Sequence, residues 1–93
     1  MNWDDMRYFL AVSRTHSFVA AAGELKVTHS TVARRVSALE ASLQTRLFDR
    51  TEKGCRITPS GEALLPYAEK LESTVINLEA QVSGKDKQLS GCI

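Results

Sequence analysis

The sequence predicts a mostly α-helical chain with three short helices, one small β-hairpin and a long final helix. Apolar residues recur every three or four positions along most of the chain, as they do on one face of an α-helix. The segment DRTEKGCRIT has a central Gly54 between two β-capable pieces, which is typical of a two-stranded hairpin. With 93 residues, of which 43% are apolar, the chain can form one compact core but not two full-sized domains.

The first two helices are short and close together in the sequence. Asn2 is a candidate N-cap for a helix over about residues 3–14, whose first turn carries acidic residues that the helix dipole favours. Ser17 is a candidate N-cap for a second helix that ends near Leu25. Because this second helix, FVAAAGEL, is rich in alanine, its backbone can lie close against a neighbouring helix.

A third helix follows a turn at Lys26 and Val27, with Thr28 or Ser30 as its N-cap. One side of this helix carries an apolar stripe, and the opposite side carries small polar side chains and Arg34. A short helix, a tight turn and a third helix with such a face form a helix-turn-helix, whose second helix can enter the DNA major groove. The stripe that predicts the buried face consists of Val32, Val36, Leu39 and Leu43.

The hairpin has a basic tip and predicts a wing beside the helix-turn-helix. Thr58 then caps a fourth helix, with Pro59 at the first position, where its missing N–H does no harm. The apolar residues of this helix follow a heptad spacing, which predicts a dimerisation helix, although they could instead pack back on their own domain. These predicted dimerisation residues are Leu64, Ala68, Leu71, Val75, Leu78 and Val82.

We therefore expect a winged helix-turn-helix domain over residues 1–58 and a linker and dimerisation helix over residues 59–83. The remaining residues, 84–93, contain two glycines and are expected to form a hinge. This tail stops as though more chain followed, so we expect the sequence to be a fragment of a longer protein.

Positive charge is concentrated in the middle of the chain, although the formal net charge is only +1. Residues 14–56 contain eight basic side chains and four acidic ones, whereas both flanks are acidic. A positive field confined to the helix-turn-helix and the wing indicates a polyanionic partner such as double-stranded DNA. The alternative from charge alone is a solvated face without a partner.

The sequence gives no support to an enzyme, a metal site or a bound cofactor. Cys55 and Cys92 belong to no Cys/His array, and His16 and His29 have no nucleophile and orienting partner beside them. The chain has no glycine-rich phosphate loop. It also has neither a signal peptide nor an apolar run of bilayer length, so we expect a cytoplasmic protein without a membrane partner.

The candidate base contacts lie at the N-terminal end of the third helix. The planar guanidinium of Arg34 matches the two acceptors of guanine, with a phosphate or a neighbouring glutamate as its alternative partner. Ser17 could hold a phosphate or act only as an N-cap, and Arg50 could reach DNA or tie the wing to the core. The predicted DNA-binding residues are Ser17, Thr28, His29, Ser30, Thr31, Ala33, Arg34, Arg50 and Lys53.

Four motifs occur in a fixed order: SFVAAA, a VxxLExxL run that ends at Leu43, LFDR at 47–50 and ITPSG at 57–61. With these motifs, the chain from about Trp3 to the final helix resembles the N-terminal domain of LysR-type transcriptional regulators. The resemblance implies a third helix in the major groove, a wing at the minor groove and a final helix that dimerises two domains on an inverted repeat.

The recognition helix departs from the common family pattern. Where family members commonly begin it with Ser-Gln-Pro-Ala-Val-Ser-Arg, this chain has Thr-His-Ser-Thr-Val-Ala-Arg at residues 28–34. Because the arginine is kept, family contacts carry over best to Arg34 and to Lys53 in the wing. They carry over less directly to His29, Ser30 and Ala33, so the preferred DNA site is expected to differ.

Family members typically continue into a larger effector domain that binds a small-molecule inducer, and this chain lacks that domain. An inducer would therefore act only through the missing part, and the full-length protein could be a dimer or a tetramer. Two other functions stay open. One is a winged-helix protein-interaction module that uses the heptad helix, and the other is a related winged-helix regulator of the molybdate-responsive type.

Overall fold

The computed structural model describes residues 2–92, with side chains described for residues 2–83. In chain order the elements are α1 (Trp3–Thr15), α2 (Phe18–Leu25), α3 (His29–Leu43), β1 (Phe48–Thr51), β2 (Gly54–Ile57) and α4 (Pro59–Cys92). This order confirms the predicted mostly α-helical architecture, with three helices, a hairpin wing and a long final helix. Among the described residues, no helix is both long enough and apolar enough to span a membrane.

The predicted capping residues begin the helices. The side chains of Asn2, Ser17 and Thr28 each accept a hydrogen bond from the backbone N–H three residues further on, at 3.0, 3.1 and 3.2 Å. Thr58 does the same for α4 at 3.0 Å. Each bond satisfies one of the N–H groups that the first turn of a helix leaves unpaired. Of the two predicted caps for α3, Thr28 is therefore the one used, and Ser30 lies inside the helix.

The three short helices end on residues with a left-handed backbone. His16, Lys26 and Gln44 have φ angles of 56°, 58° and 55° and follow α1, α2 and α3. Their backbone N–H groups bond back to carbonyls of the preceding turn, which ends each helix. Because none of the three is a glycine, the sequence carries no strong signal for these ends.

The core lies between α1, α2 and α3 and is closed by the start of the wing. The ring centroid of Phe48 lies 5.4 Å from that of Phe9 and 6.2 Å from that of Phe18. Ala21 and Ala22 are buried, and their small side chains let α2 approach its neighbours closely. The largest fully buried side chains are Phe9, Leu10, Leu39, Leu47, Val12, Val32 and Val36.

The wing is a two-stranded antiparallel hairpin whose register runs from the pair Phe48 and Ile57 to the pair Thr51 and Gly54. The end of the hairpin next to its loop is fixed to the end of α1. A Cβ atom on Gly54, which has a φ of 132°, would lie 2.5 Å from the carbonyl oxygen of His16. The next backbone N–H in β2 donates to that same oxygen at 3.2 Å. The position of Gly54 therefore requires a glycine for both conformation and space.

Helix α4 extends beyond the predicted end at residue 83 and continues to Cys92. Helical backbone thus replaces the hinge predicted over residues 84–93, except for Ile93, which lies outside the described residues. The chain has no proline after Pro66, and a glycine inside a helix costs only about 1 kcal/mol relative to alanine, which does not by itself end a helix. The assignment of residues 59–83 as a separate linker segment stays a prediction.

Candidate nucleic-acid interface

The outward face of α3 carries most of the predicted base-contacting residues. Because Val32, Val36 and Leu39 face the core, the side chains on the other side of the helix point to solvent. Four of the predicted residues are exposed and two are half-buried. The exposed ones are Thr28, His29, Ser30 and Arg34, and the half-buried ones are Thr31 and Ala33.

The two arginines in the middle of α3 have different surroundings. Arg34 is exposed and forms no hydrogen bond or ion pair with any side chain in residues 2–83. Arg35 points the other way, and its Nη1 lies 3.7 Å from Oδ1 of Asp5, a carboxylate of α1 that is buried. Arg35 therefore makes an ion-pair contact between α3 and α1, whereas the guanidinium of Arg34 is available to a partner molecule. The neighbouring glutamate that was the alternative partner for Arg34 is not in contact with it.

Three of the predicted DNA-binding hydroxyls already have local partners. Ser17 caps α2 and Thr28 caps α3, and the hydroxyls of Thr28 and Thr31 lie 2.9 Å apart. The N-cap function that was the alternative for Ser17 is thus present in the fold. A hydroxyl that accepts one bond can still donate its proton to a phosphate, so capping and DNA contact are compatible.

Arg50 connects the wing to the helical core. Its guanidinium carbon lies 4.4 Å from the centroid of the Phe18 ring, close enough for a cation–π interaction. This contact supports the alternative in which Arg50 ties the wing to the core, while the residue as a whole stays exposed. Lys53 occupies the two-residue loop at the tip of the wing and is exposed.

A cleft of about 250 Å³ lies between α2, α3 and the wing. It brings together four predicted residues, Ser17, His29, Ala33 and Arg50. Val19 also lines the cleft and is 68% exposed. Its exposure could not be predicted from the sequence, because an apolar residue in an alanine-rich helix resembles a core residue. The cleft also includes Cys55, whose thiol pKa is raised by burial, an effect that the nearby positive charge of Arg50 opposes.

Glu40 is a further residue that positions the interface and that sequence reasoning did not identify. Its Oε2 accepts hydrogen bonds from the backbone N–H groups of Leu47, at 2.7 Å, and Phe48, at 3.3 Å. These bonds join the end of α3 to the start of the wing. The available signal was the acidic residue in the VxxLExxL motif, which stands on a helix without an obvious basic partner.

Part of the central positive charge is used inside the domain. Arg14 pairs with Glu72, Arg35 with Asp5, and Arg46 with Asp49 at 3.8 Å. The field on the α3 and wing surface therefore comes from a smaller set of cations than the charge count suggested. Within the described residues, this set includes Arg34 and Lys53.

The predicted dimerisation residues of α4, which we call the heptad seam, lie in two different environments. Leu64 packs against the core and Ala68 is fully buried within its own chain, so the intramolecular alternative holds for Ala68. Val75 is half-buried. The other three seam residues, Leu71, Leu78 and Val82, are among the exposed large apolar residues of the chain.

Comparison with known proteins gives the same family from sequence and from structure. Residues 3–62 match the family described as "Bacterial regulatory helix-turn-helix protein, lysR family". The HTH-type transcriptional regulator HdfR of Yersinia enterocolitica is 47% identical over 74 residues, which cover 80% of this chain and 25% of that protein. The chain thus spans about a quarter of the length of that relative.

Solved structures with the same fold include DNA complexes. The structure of the BenM_DBD/catB site 1 DNA complex superposes with a TM-score of 0.82 at 32% identity and covers 97% of this chain and 98% of that one. The CbnR_DBD-DNA complex gives a TM-score of 0.76 at 29% identity, with full coverage of both chains. The family is one of transcriptional regulators and not a class of enzymes. This chain belongs to the LysR family of bacterial regulatory helix-turn-helix proteins.

Proposed function

We propose that this chain binds an inverted-repeat operator as a homodimer in the bacterial cytoplasm and directs transcription from there. The observation that carries this proposal is Arg34, which is exposed and without a protein partner among the described residues, on the outward face of α3. In this arrangement α3 enters the major groove and the wing follows the adjacent minor groove. The DNA complexes of BenM_DBD and CbnR_DBD, which share this fold, support double-stranded DNA as the partner.

Base recognition rests on the first two turns of α3. Arg34 donates to the two acceptors of a guanine, and His29 and Ser30 lie exposed one turn earlier on the helix. The methyl group of Ala33 suits a thymine methyl. Thr28 and Thr31 complete this set, with their hydroxyls held in place by the N-cap.

The wing and the start of α2 contact the DNA backbone. Lys53 at the wing tip suits a phosphate or the negative potential of a narrow minor groove. Arg50 and Ser17 line the cleft between the wing and α2, next to the path that a DNA strand takes between major and minor groove. Phosphate contacts of this kind set the position of a protein on DNA but carry no base information.

The dimer forms through the exposed apolar side of α4. Leu78 follows Leu71 by seven residues, and Val82 follows Leu78 by four, so the three lie on one side of the helix. Tyr67 extends this side by one turn towards the start of the helix. Covering an exposed apolar stripe of this length with a second helix is favourable, because it removes apolar surface from water. A tetramer, and any response to an inducer, would require residues outside the 93 of this chain.

The first test is selection from a pool of random DNA duplexes, followed by titration of the enriched duplex at several salt concentrations. We expect an inverted repeat and an affinity that falls steeply with salt, because phosphate contacts release counterions. Arg34→Ala should reduce the preference for the enriched duplex by about 1–3 kcal/mol while binding to unrelated DNA is kept. The matched control is Arg7→Ala, which removes an arginine from α1 whose partner is Asp4 in the same helix.

The second test addresses the dimer through the exposed seam. Leu71→Asp should dissociate the dimer because it places a charge in an apolar interface, and operator binding should weaken with it. Ser73→Asp adds the same charge to an exposed position on the opposite side of α4 and should leave the dimer intact. Sedimentation measures the association state, and a monomeric wild-type chain would contradict the proposal.

The exposed apolar side of α4 also favours a second candidate, a winged-helix module that binds another protein. This candidate predicts no sequence preference in the duplex selection. It also predicts that the association through α4 survives Arg34→Ala without any consequence for DNA. Enrichment of one duplex family over random DNA would exclude it as the main function.

A further inference from the structure

The start of α4 is fixed against the winged domain by its own first turns. The backbone N–H of Thr58 donates to the carbonyl of Leu47 at 2.9 Å, and the hydroxyl of Thr58 donates to the carbonyl of Arg46 at 2.6 Å. A Cβ atom on Gly61 would lie 2.5 Å from the same Leu47 carbonyl, so the helix passes very close to the wing there. Two turns later, Ala68 is fully buried.

The last polar connection between α4 and the winged domain is a paired contact between Arg14 and Glu72. Nη1 of Arg14 donates to one carboxylate oxygen at 2.9 Å and Nη2 to the other at 2.6 Å. This two-bond geometry fixes direction as well as distance, because a planar guanidinium matches a planar carboxylate. Within residues 2–83, no other hydrogen bond or ion pair joins the part of α4 beyond residue 62 to the rest of the chain.

Packing holds α4 less firmly around and beyond this pair. A groove of about 500 Å³ lies between α4 and the α1–α2 surface, and Trp3, Leu25 and Ile76 are among the residues that line it. Ile76, one turn after Glu72, is 55% exposed. Because the helix is only partly packed here, its direction depends on the contacts just before and at this point.

The direction of α4 matters because a small tilt of the helix near Glu72 displaces its far end. From Glu72 to residue 83 the helix rises about 16 Å, so a tilt of about 10° at Glu72 moves the far end by about 3 Å. One base pair adds about 3.4 Å along a DNA helix. A small change in tilt therefore changes the separation of two joined winged domains by about one base pair.

We propose that Arg14 and Glu72 are positioning residues that set the distance between the two half-sites of the operator. The inference rests on the proposed function, because two winged domains must be joined through α4 and bind DNA together. Neither residue needs to touch DNA. Together they select one direction of α4 and thereby disfavour operators whose half-sites are one or two base pairs closer or further apart.

The expected effect concerns spacing much more than overall stability. Exposed ion pairs contribute little to folding, and good two-bond geometry places this pair at the upper end of that range. We expect loss of the pair to reduce the preference for the best spacing over its neighbours by about threefold, the size that such a pair supports. Affinity for a single half-site should change by less than about twofold, because Arg14 and Glu72 are outside the proposed base-contacting set.

The experiment is a competition among duplexes that carry the selected inverted repeat with spacers of different length. The wild type is compared with Arg14→Ala, Glu72→Ala, the double variant and the control Arg7→Ala, all at the same salt concentration. Each single variant should broaden the spacing distribution to a similar extent. The double variant should broaden it no further, because the second substitution removes a partner that has already lost its contact. Arg7→Ala should keep the wild-type distribution.

The outcomes separate this inference from the proposed function. If the wild type enriches no inverted repeat, the proposed function fails and this inference falls with it. If the wild type prefers one spacing and the variants keep that preference, the function stands and the role of Arg14 and Glu72 is refuted. A uniform loss of affinity at every spacing would also refute it, because that result indicates a general effect on folding or on the dimer.

Discussion

The winged domain and the second half of α4 have similar apolar side chains but different neighbours. In the winged domain Phe9, Leu39 and Leu47 are fully buried by other parts of the same chain. In α4, Leu78 and Val82 are 59% and 49% exposed although their spacing is as regular. The difference shows that helical periodicity identifies an apolar face but does not say which chain covers it.

The polar residues of the candidate interface also fall into two groups, those with partners inside the domain and those without. Residues that position the interface, such as Glu40, Arg50 and Arg35, have partners inside the domain. The candidate contact residue Arg34 has none among the described side chains. Variants of the first group should change stability, and variants of the second should change binding only.

The largest expected effect tests whether the two apolar regions contribute differently to the stability of the winged domain. Phe9→Ala should destabilise the winged domain by about 3–5 kcal/mol, because it leaves a cavity next to Phe48 in a dry core. At protein concentrations too low for the proposed dimer, Leu78→Ala should change the stability of that domain by less than about 0.5 kcal/mol, because Leu78 is exposed within its own chain. Denaturant titration with the fluorescence of Trp3, the one tryptophan, measures both. Equal losses would show that the two regions form one cooperative core.

A smaller effect is expected at the connection between α3 and the wing. Glu40→Ala should cost about 1.5–3 kcal/mol, because the carboxylate accepts two backbone N–H groups that would lose their partner. The neighbouring variant Ala41→Ser at an exposed helix position serves as the control and should cost less than about 0.5 kcal/mol. Thermal unfolding of both variants checks the difference. A Glu40 variant as stable as the control would mean that water replaces the carboxylate without loss.

The cation–π contact of the wing should contribute less. Arg50→Ala should reduce stability by about 0.5–1 kcal/mol, because its guanidinium stacks on the ring of Phe18 at an exposed site. Lys53→Ala should leave stability unchanged, since Lys53 lies at the exposed wing tip. Both variants should weaken DNA binding under the proposed function. An Arg50 variant with wild-type stability would assign that residue to DNA contact alone.

The smallest effect concerns the pH dependence of the link between α1 and α4. The two hydrogen bonds from Arg14 lower the pKa of Glu72 below its ordinary value of about 4.3, and Glu72 raises the pKa of Arg14 in return. A lowered folded-state pKa means that the carboxylate stabilises the fold above the ordinary value. This stabilisation is lost as the pH falls through the lower, folded-state pKa.

The measurement compares the free energy of unfolding of the wild type and Glu72→Gln across the acidic range. The difference should be constant above about pH 5 and should shrink as the pH falls through the folded-state pKa of Glu72. Glu79→Gln, a nearby substitution in the same helix, controls for the general loss of a carboxylate. A difference that grows towards low pH would contradict the assigned direction.

Local sequence patterns were enough to predict most of the architecture and the candidate interface. Polar residues at Asn2, Ser17, Thr28 and Thr58 marked the helix starts because a short side-chain oxygen is what an unpaired first-turn N–H requires. The periodicity of α3 placed Arg34 on the outward face for an equally local reason. Helix ends were less clear, since the three left-handed end residues are not glycines. The end of α4 was predicted too early because glycines weaken a helix without stopping it.

Which residues of the same type have partners could not be predicted locally, because it depends on how the elements pack. Arg34 and Arg35 are adjacent in sequence, yet only Arg35 meets a carboxylate, because Asp5 reaches it from α1. Ala68 and Leu78 belong to one heptad pattern, yet only Ala68 is covered by the same chain. Local rules act over three or four residues, whereas these contacts join residues up to 58 positions apart, as in the bond between Arg14 and Glu72. Such pairs depend on how the helices pack, and that packing is a property of the whole fold.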